Sequence, residues 1–361
     1  MINHKQILEK DFLKKEDIVT LLSLNKEDAR DLFAKSEQVK LKFVGNKVYY
    51  RGLIEMSNIC RKDCYYCGIR RSNKNVSRYE LDDKQIFEAA EYAYINNFAS
   101  IVIQGGERSD KLFTDRITFL LEEIMKRTNN SLGITLSFGE QTAGVFKKWK
   151  NAGARRYLLR IEEYNRDLYK KLHPDNDVHS FDERFKALYL LKQEGYQVGT
   201  GVMIGLPFQT IEHLADNLLF FRDFDIDMVG MGPYIEHEDT PLYKFKDQLW
   251  SLEERLFMSF KMLAVLRIMV KDINIAATTA LQTIDPIGRE KAVKIAANVI
   301  MPNITPGIVR KNYLLYENKP CTDEEAEDCL GCLKTRLKLV NAEIGFDEWG
   351  DSKHFFERTK D

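Results

Sequence analysis

From Tyr49 onward the chain alternates short apolar runs with amphipathic stretches, and this alternation constrains the fold more than any other feature. The runs are Tyr49–Met56, Ser100–Gln104, Gly133–Ser137, Arg156–Arg160, Gln197–Met203, Met228–Gly232, Ile273–Ala277 and Asn298–Met301. Their length and apolar content are those of strands. The stretches between them, such as Asp83–Tyr94, Arg116–Arg127, Phe185–Glu194 and Leu252–Val270, carry helical spacing. Strand–helix alternation implies a parallel sheet, because parallel neighbours need a crossover that a helix supplies. Eight such units in about 250 residues fit an α/β fold of the closed (β/α)8 TIM type. A six-stranded partial barrel is the second choice, since the last two runs are short, and an open doubly wound sheet the third.

Residues 1–45 carry Ile7, Leu8, Phe12, Ile18, Leu21, Leu22 and Leu32 at helical spacing. We therefore expect a helical extension over 1–45, the barrel over 46–310 and a C-terminal segment over 311–361. The 54 Lys and Arg balance 55 Asp and Glu, for a net charge of -1, which argues against nucleic-acid binding by bulk positive charge. The longest apolar stretch, around Met258–Val270, is interrupted by Lys261 and Arg267, and the N-terminus lacks the apolar core and cleavage site of a leader. The expectation is a cytoplasmic protein with neither nucleic acid nor membrane as partner.

In parallel α/β domains chemistry gathers at the C-terminal ends of the strands. Unusual residues cluster there: Cys60, Cys64 and Cys67, then Gly105-Gly106-Glu107, Ser137 to Glu140, Arg160 with Glu162 and Glu163, Gly205-Leu206-Pro207, and Thr278-Thr279. The cysteines are spaced C-x3-C-x2-C. A structural zinc site wants four ligands, and the nearest histidine, His4, lies in the extension. Three thiolates on one loop hold three corners of a 4Fe-4S cube and leave the fourth iron open. A simple electron carrier supplies a fourth cysteine. A zinc knuckle completed from a distance is the alternative. The other three cysteines, Cys321, Cys329 and Cys332, form a second local triad, C-x7-C-x2-C.

The segment Cys60-Arg-Lys-Asp-Cys64-Tyr-Tyr66-Cys67 resembles the signature of the radical S-adenosylmethionine (radical SAM) superfamily, with Tyr66 in the aromatic place. The likeness extends to the HydE-type maturases of FeFe-hydrogenase through IEMSNICRKDCYYCGIRRSNKN, RYLLRIEEYN, MIGLPFQT, DMVGMGPYIEHEDTPL, AATTA and AANVIMPNITP. By this resemblance the open iron chelates the methionine end of SAM, and one electron cleaves SAM to a 5'-deoxyadenosyl radical. The implied substrate is an iron–cysteine complex with CO and cyanide on the way to the H-cluster. The implied partners are that organometallic or another small-molecule substrate, a reductant such as a flavodoxin or ferredoxin, and the other hydrogenase maturases.

The resemblance also distributes roles. Gly105, Gly106 and Glu107 clamp the SAM ammonium group, Arg184 forks onto its carboxylate, and Glu162 takes the ribose hydroxyls. Tyr66 and Leu206 pack near the adenine, with Gln104 and Ser137 close to the cofactor. Arg160, Thr278, Thr279, Met301, Tyr313 and Tyr316 line the substrate cavity. Each has an ordinary alternative: a βα turn for the glycines, a surface ion pair for the charges, packing for Leu206, Met301 and the tyrosines. The second triad matches an accessory cluster of the family. Its acidic run, residues 323–328, disfavours added negative charge, so an accessory or structural cluster is expected rather than a sulfur donor.

Departures from the family are Ile161 in place of a frequent His, Phe208 in place of a common Gly, and Gln282 with Asp285-Pro286-Ile287 in a loop. The alternatives are a methylornithine synthase-like enzyme, whose relatives lack the second triad, another radical SAM enzyme on a small amino acid, and a non-catalytic iron–sulfur assembly module.

Overall fold

The computed structural model describes residues 3–322 and 333–360. Its strands are β1 (Lys47–Ser57), β2 (Ser100–Gly105), β3 (Gly133–Ser137), β4 (Ala154–Leu158), β5 (Gln197–Thr200), β6 (Met203–Ile204), β7 (Met228–Pro233), β8 (Asn274–Ala277), β9 (Val299–Ile300) and β10 (Glu343–Ile344). The ladder runs β1-β2-β3-β4-β5-β7-β8-β9, and β9 pairs back to β1 through Tyr49↔Val299 and Tyr50↔Ile300. All pairings along it are parallel, so the barrel is closed with eight strands, and the partial barrel and open sheet are excluded.

Two differences from expectation bear on the site. The run 197–203 is split, because β5 ends where Gly201 passes the β7 backbone. A Cβ there would lie 1.9 Å from the Gly230 carbonyl oxygen. The chain re-pairs as β6 only beyond that contact, at Met203↔Gly232. Strand β4 starts and stops two residues early, which leaves Arg160 beyond the ladder.

The helices begin where a side chain can take up their free N–H groups. Asp82 and Gln85 make a capping box before Asp83–Ile95, and Ser251 and Glu254 make another before Leu252–Met269. Asp110 and Ser180 cap Lys111–Arg127 and Phe181–Gln193, each starting earlier than periodicity suggests. The N-terminal extension is helical as expected, with His4–Leu8, Lys15–Leu22 and Ala29–Phe43. It is bolted to the barrel's outer layer by buried lysines. Lys40 donates to the Val293 carbonyl at 2.7 Å, and Lys261 donates to the carbonyls of Leu22 and Leu24. Among the described residues no helix is long and apolar enough to cross a membrane.

The N-terminal end of the barrel is plugged by the C-terminal segment. Strand β10 pairs with the start of β1 at Lys47↔Glu343 and Val48↔Ile344. The chain then crosses the strand starts. The Gly350 carbonyl accepts from Arg51 at 3.0 Å and from Asn274 at 2.8 Å, and the Trp349 carbonyl accepts from Ser100 at 2.8 Å. Asp351 pairs with Arg156. Arg51 and Arg156 are fully buried, so this segment supplies acceptors that those interior charges need.

The last helix, Lys353–Arg358, is held by ion pairs. His354 lies between Asp225 at 2.6 Å and Asp272 at 2.9 Å, and Arg358 forks onto Asp227 with two contacts of 2.7 Å. Partial burial lowers the His354 pKa, but Asp272 and Asp225 outweigh it and raise the value. A raised folded-state pKa stabilises fully below the unfolded value of about 6.5 and is lost as pH rises through the folded value. The thermal midpoint should therefore fall as pH rises past neutrality, and His354→Gln should remove that part of the slope. Identical pH slopes for wild type and variant, by thermal unfolding, would refute the assignment.

Candidate active site

At the C-terminal ends of the strands lies a cavity of about 340 Å³. The loop after β1 forms one wall. It is irregular but tightly tied: the Arg78 guanidinium donates to the carbonyls of Asn58, Ile69, Arg70 and Asn73, and the Asn58 amide donates to those of Ser77 and Asn312. Cys60, Cys64 and Cys67 all line the cavity. A Cβ on Gly106 would lie 2.3 Å from the Ile59 carbonyl oxygen and 2.8 Å from the Cys60 Cα, so glycine lets the end of β2 approach the cysteine loop. Cys60 Sγ then accepts N–H groups from Lys62 at 3.4 Å and Glu107 at 3.3 Å.

Burial pushes the Cys60 thiol up to about 11, with the Glu107 charge adding to the effect, and pushes Cys64 up to about 12. Cys67 is also raised well above the ordinary thiol range, again by burial first. Soft sulfur donors that resist ionisation alone suit a highly charged cation that displaces their protons. Backbone N–H groups aimed at sulfur are what an iron–sulfur cluster uses to stabilise its negative charge. The donor set fits a cluster held by one loop.

Beside the thiols is a buried quartet of charges. Arg184, from Phe181–Gln193, contacts Glu107 Oε1 at 2.6 Å and Glu140 Oε1 at 3.3 Å. Lys62 contacts Glu140 at 2.9 Å and Glu107 at 3.7 Å, and also donates to the Val178 carbonyl. Burial raises Glu107, and neighbouring Glu140 adds to this against the pull of Arg184 and Lys62. Burial works on Glu140 as well, but Arg184 and Lys62 prevail and hold it down at about 2. The quartet is neutral, yet Glu107 Oε2 and Arg184 Nη1 have no hydrogen-bond partner. A carboxylate oxygen and a guanidinium N–H that both keep hydrogen-bonding capacity suit a group bearing both an ammonium and a carboxylate, as the methionine end of SAM does.

Arg160 and Glu162, to which sequence analysis gives different ligands, are bound to each other. Arg160 forks onto Glu162 with contacts of 2.9, 3.0 and 2.9 Å and also donates to the carbonyls of Gly230 and Val202. Glu162 adopts a left-handed backbone, φ 66°, which is unusual for a glutamate. Both residues line the cavity, together with Tyr66, Gln104, Gly105, Ser137, Thr278, Thr279, Met301, Tyr313 and Tyr316. Leu206 does not line it. It is buried with Leu168, Leu172, Tyr234 and Leu242 in a cluster against which Tyr66 packs.

Cys321, the first cysteine of the second triad, also lines the cavity. Cys329, Cys332 and the acidic run lie outside the described residues. Sequence analysis misses Glu55 and Lys319. Glu55, buried on β1, pairs with Lys319 at 2.6 Å and accepts from Asn303 at 3.2 Å. The available signal was a carboxylate between Ile54 and Met56 in an apolar strand. Of the departures, Ile161 is fully buried in the hydrophobic core and does not line the cavity. Phe208 occupies a left-handed position, φ 68°, where glycine is the favoured residue, and its ring leans on Phe245 with centroids 4.8 Å apart.

Residues 54–221 match the model of the Radical SAM superfamily. The chain is 42% identical to the FeFe hydrogenase maturase subunit HydE of Thermotoga maritima, covering 97% of both proteins. It is 27% identical to 3-methylornithine synthase of Methanosarcina acetivorans, over 82% of this chain and 81% of the relative. Among solved structures, methylornithine synthase superposes with a TM-score of 0.80 and 26% identity, covering 95% of this chain and 97% of the other. The maturase HydG from Carboxydothermus hydrogenoformans superposes with a TM-score of 0.79 at 20% identity, covering 98% and 81%, which speaks for the fold alone.

Proposed function

Because the chain belongs to the radical SAM superfamily and, within it, to the HydE-type maturases, we propose that it acts in H-cluster assembly on an iron–cysteine complex bearing CO and cyanide. It is an enzyme of this superfamily, whose members use a 4Fe-4S cluster and SAM. Cys60, Cys64 and Cys67 would hold the cluster, which when bound supplies the electron that turns SAM into a source of the 5'-deoxyadenosyl radical. Glu107 and Arg184 hold the methionine end of SAM. Tyr66, Gln104, Gly105, Gly106, Ser137 and Glu162 surround the rest of it, with Leu206 backing Tyr66. Arg160, Thr278, Thr279, Met301, Tyr313 and Tyr316 hold the substrate.

The observation that carries this reading is that both residue sets, Leu206 apart, line one cavity and are joined by the Arg160–Glu162 pair. Arg160 is anchored to one residue of the cofactor set and two backbone carbonyls, so its position is fixed before anything binds. Leu53, Leu158, Ala276 and Ala277 supply apolar wall, which keeps competing water from a reactive species. A flavodoxin- or ferredoxin-type reductant and the other maturases complete the partners. Cys321, Cys329 and Cys332 would carry an accessory cluster.

The test is incubation of the reduced, cluster-loaded protein with SAM and an iron–cysteine–CO–cyanide complex. An adenosyl–sulfur adduct, identified by mass spectrometry, is the expected product. Conversion of lysine to methylornithine by the same protein would instead make it a methylornithine synthase.

A further inference from the structure

Tyr66, between two cysteines of the first triad, turns its hydroxyl onto a residue that neither the cluster nor the cavity claims. Tyr66 Oη lies 3.1 Å from His173 Nε2. His173 Nδ1 lies 2.9 Å from the Tyr169 carbonyl oxygen. A carbonyl can only accept, so Nδ1 carries the proton, Nε2 is the lone pair, and the tyrosine hydroxyl donates to it. The imidazole is 3% exposed, and burial pushes its pKa down to about 3, so it stays a neutral acceptor.

The ring is clamped on both sides. It stacks on Tyr169, centroids 3.9 Å apart at 24°, and meets Tyr66 edge-on at 5.3 Å and 90°. The backbone is pinned to the same turn, since Tyr65 N donates to the Leu172 carbonyl at 3.0 Å. Tyr65 and His173 thus tie the cysteine loop to the end of the helix Arg166–Leu172 by one backbone and one side-chain contact. The backbone contact fixes where the loop lies. The Leu206 cluster backs the Tyr66 ring, and the contact with His173 sets where its hydroxyl points.

We propose that His173 is a positioning residue that sets SAM affinity by fixing the orientation of the Tyr66 ring through the hydroxyl–imidazole hydrogen bond. This rests on the reading that SAM occupies the cavity with its nucleoside against Tyr66. A ring held in its bound orientation does not have to be ordered when the ligand arrives, so the ligand's contact energy is not spent on ordering it.

The experiment measures SAM dissociation constants for cluster-loaded wild type, Tyr66→Phe, His173→Phe, His173→Gln and the double variant with phenylalanine at both positions, with iron content assayed in each. Loss of one hydrogen bond and the order it imposes should weaken SAM about tenfold in either single phenylalanine variant. The double variant should be no weaker than the singles, since both remove the same contact. His173→Gln, whose amide oxygen can accept from Tyr66, should recover most of the loss. An unchanged dissociation constant in Tyr66→Phe, or losses that multiply in the double variant, would overturn the proposal. If His173→Phe fails to load the cluster, the isosteric Tyr66→Phe decides alone. A wild type that loads its cluster yet binds no SAM would defeat the underlying reading instead.

Discussion

Cys64→Ser should eliminate both the SAM-responsive EPR signal and SAM cleavage. The wild type, reconstituted without oxygen and reduced, should show a cluster signal that changes when SAM is added. The three thiols of the first loop are the whole cysteine set of that wall, and Cys64 is buried among them. Serine preserves volume but offers a hydroxyl that does not ionise near neutral pH. Two remaining thiolates cannot hold three corners of a cube. Serine at Cys321, which lines the cavity from the C-terminal segment, should leave the SAM-responsive signal in place. A Cys64→Ser protein that keeps that signal would show that the cluster is held elsewhere.

The second large effect is expected at Arg184. Lysine there should lower SAM affinity about tenfold to a hundredfold while iron content stays at the wild-type level. The guanidinium reaches Glu107 with one nitrogen and leaves Nη1 without a partner, so it can brace the clamp and still offer a donor. An ammonium keeps the charge but not the planar fork. A charge-assisted hydrogen bond contributes ~1.5–3 kcal/mol, which corresponds to that range of affinity. Unchanged affinity, by titration of the cluster-loaded variant, would reduce Arg184 to a structural brace for Glu107 and Glu140.

What the sequence makes legible here is what is local. The cysteine spacing and the strand after which it falls are written within a few residues of one another. Repeated alternation gives the parallel α/β class and favours a barrel, whereas closure itself is seen in the β1–β9 pairing. What depends on contact through space is not legible. The break between β5 and β6 comes from Gly201 lying on Gly230, and neither glycine signals the other. Lys319 and Glu55 are 264 residues apart, and only the folded barrel brings them together. The Arg160–Glu162 pair needs a left-handed backbone at Glu162, a conformation that a glutamate does not advertise. Cys321 reaches the cavity wall because residues 311–322 fold back over the barrel mouth, with the Leu315 carbonyl accepting from Gly68 N.

The plug has a consequence for the order in which the protein is made. Arg51 and the Gly350 carbonyl that accepts its hydrogen bond are 299 residues apart. A ribosome adding roughly 5–20 residues per second separates their appearance by about 15–60 s. The cysteine loop is made early in that interval, whereas β9, which closes the barrel against β1, precedes Gly350 by only about 50 residues. The floor can therefore be set only after every strand of the eight-stranded ladder has been made.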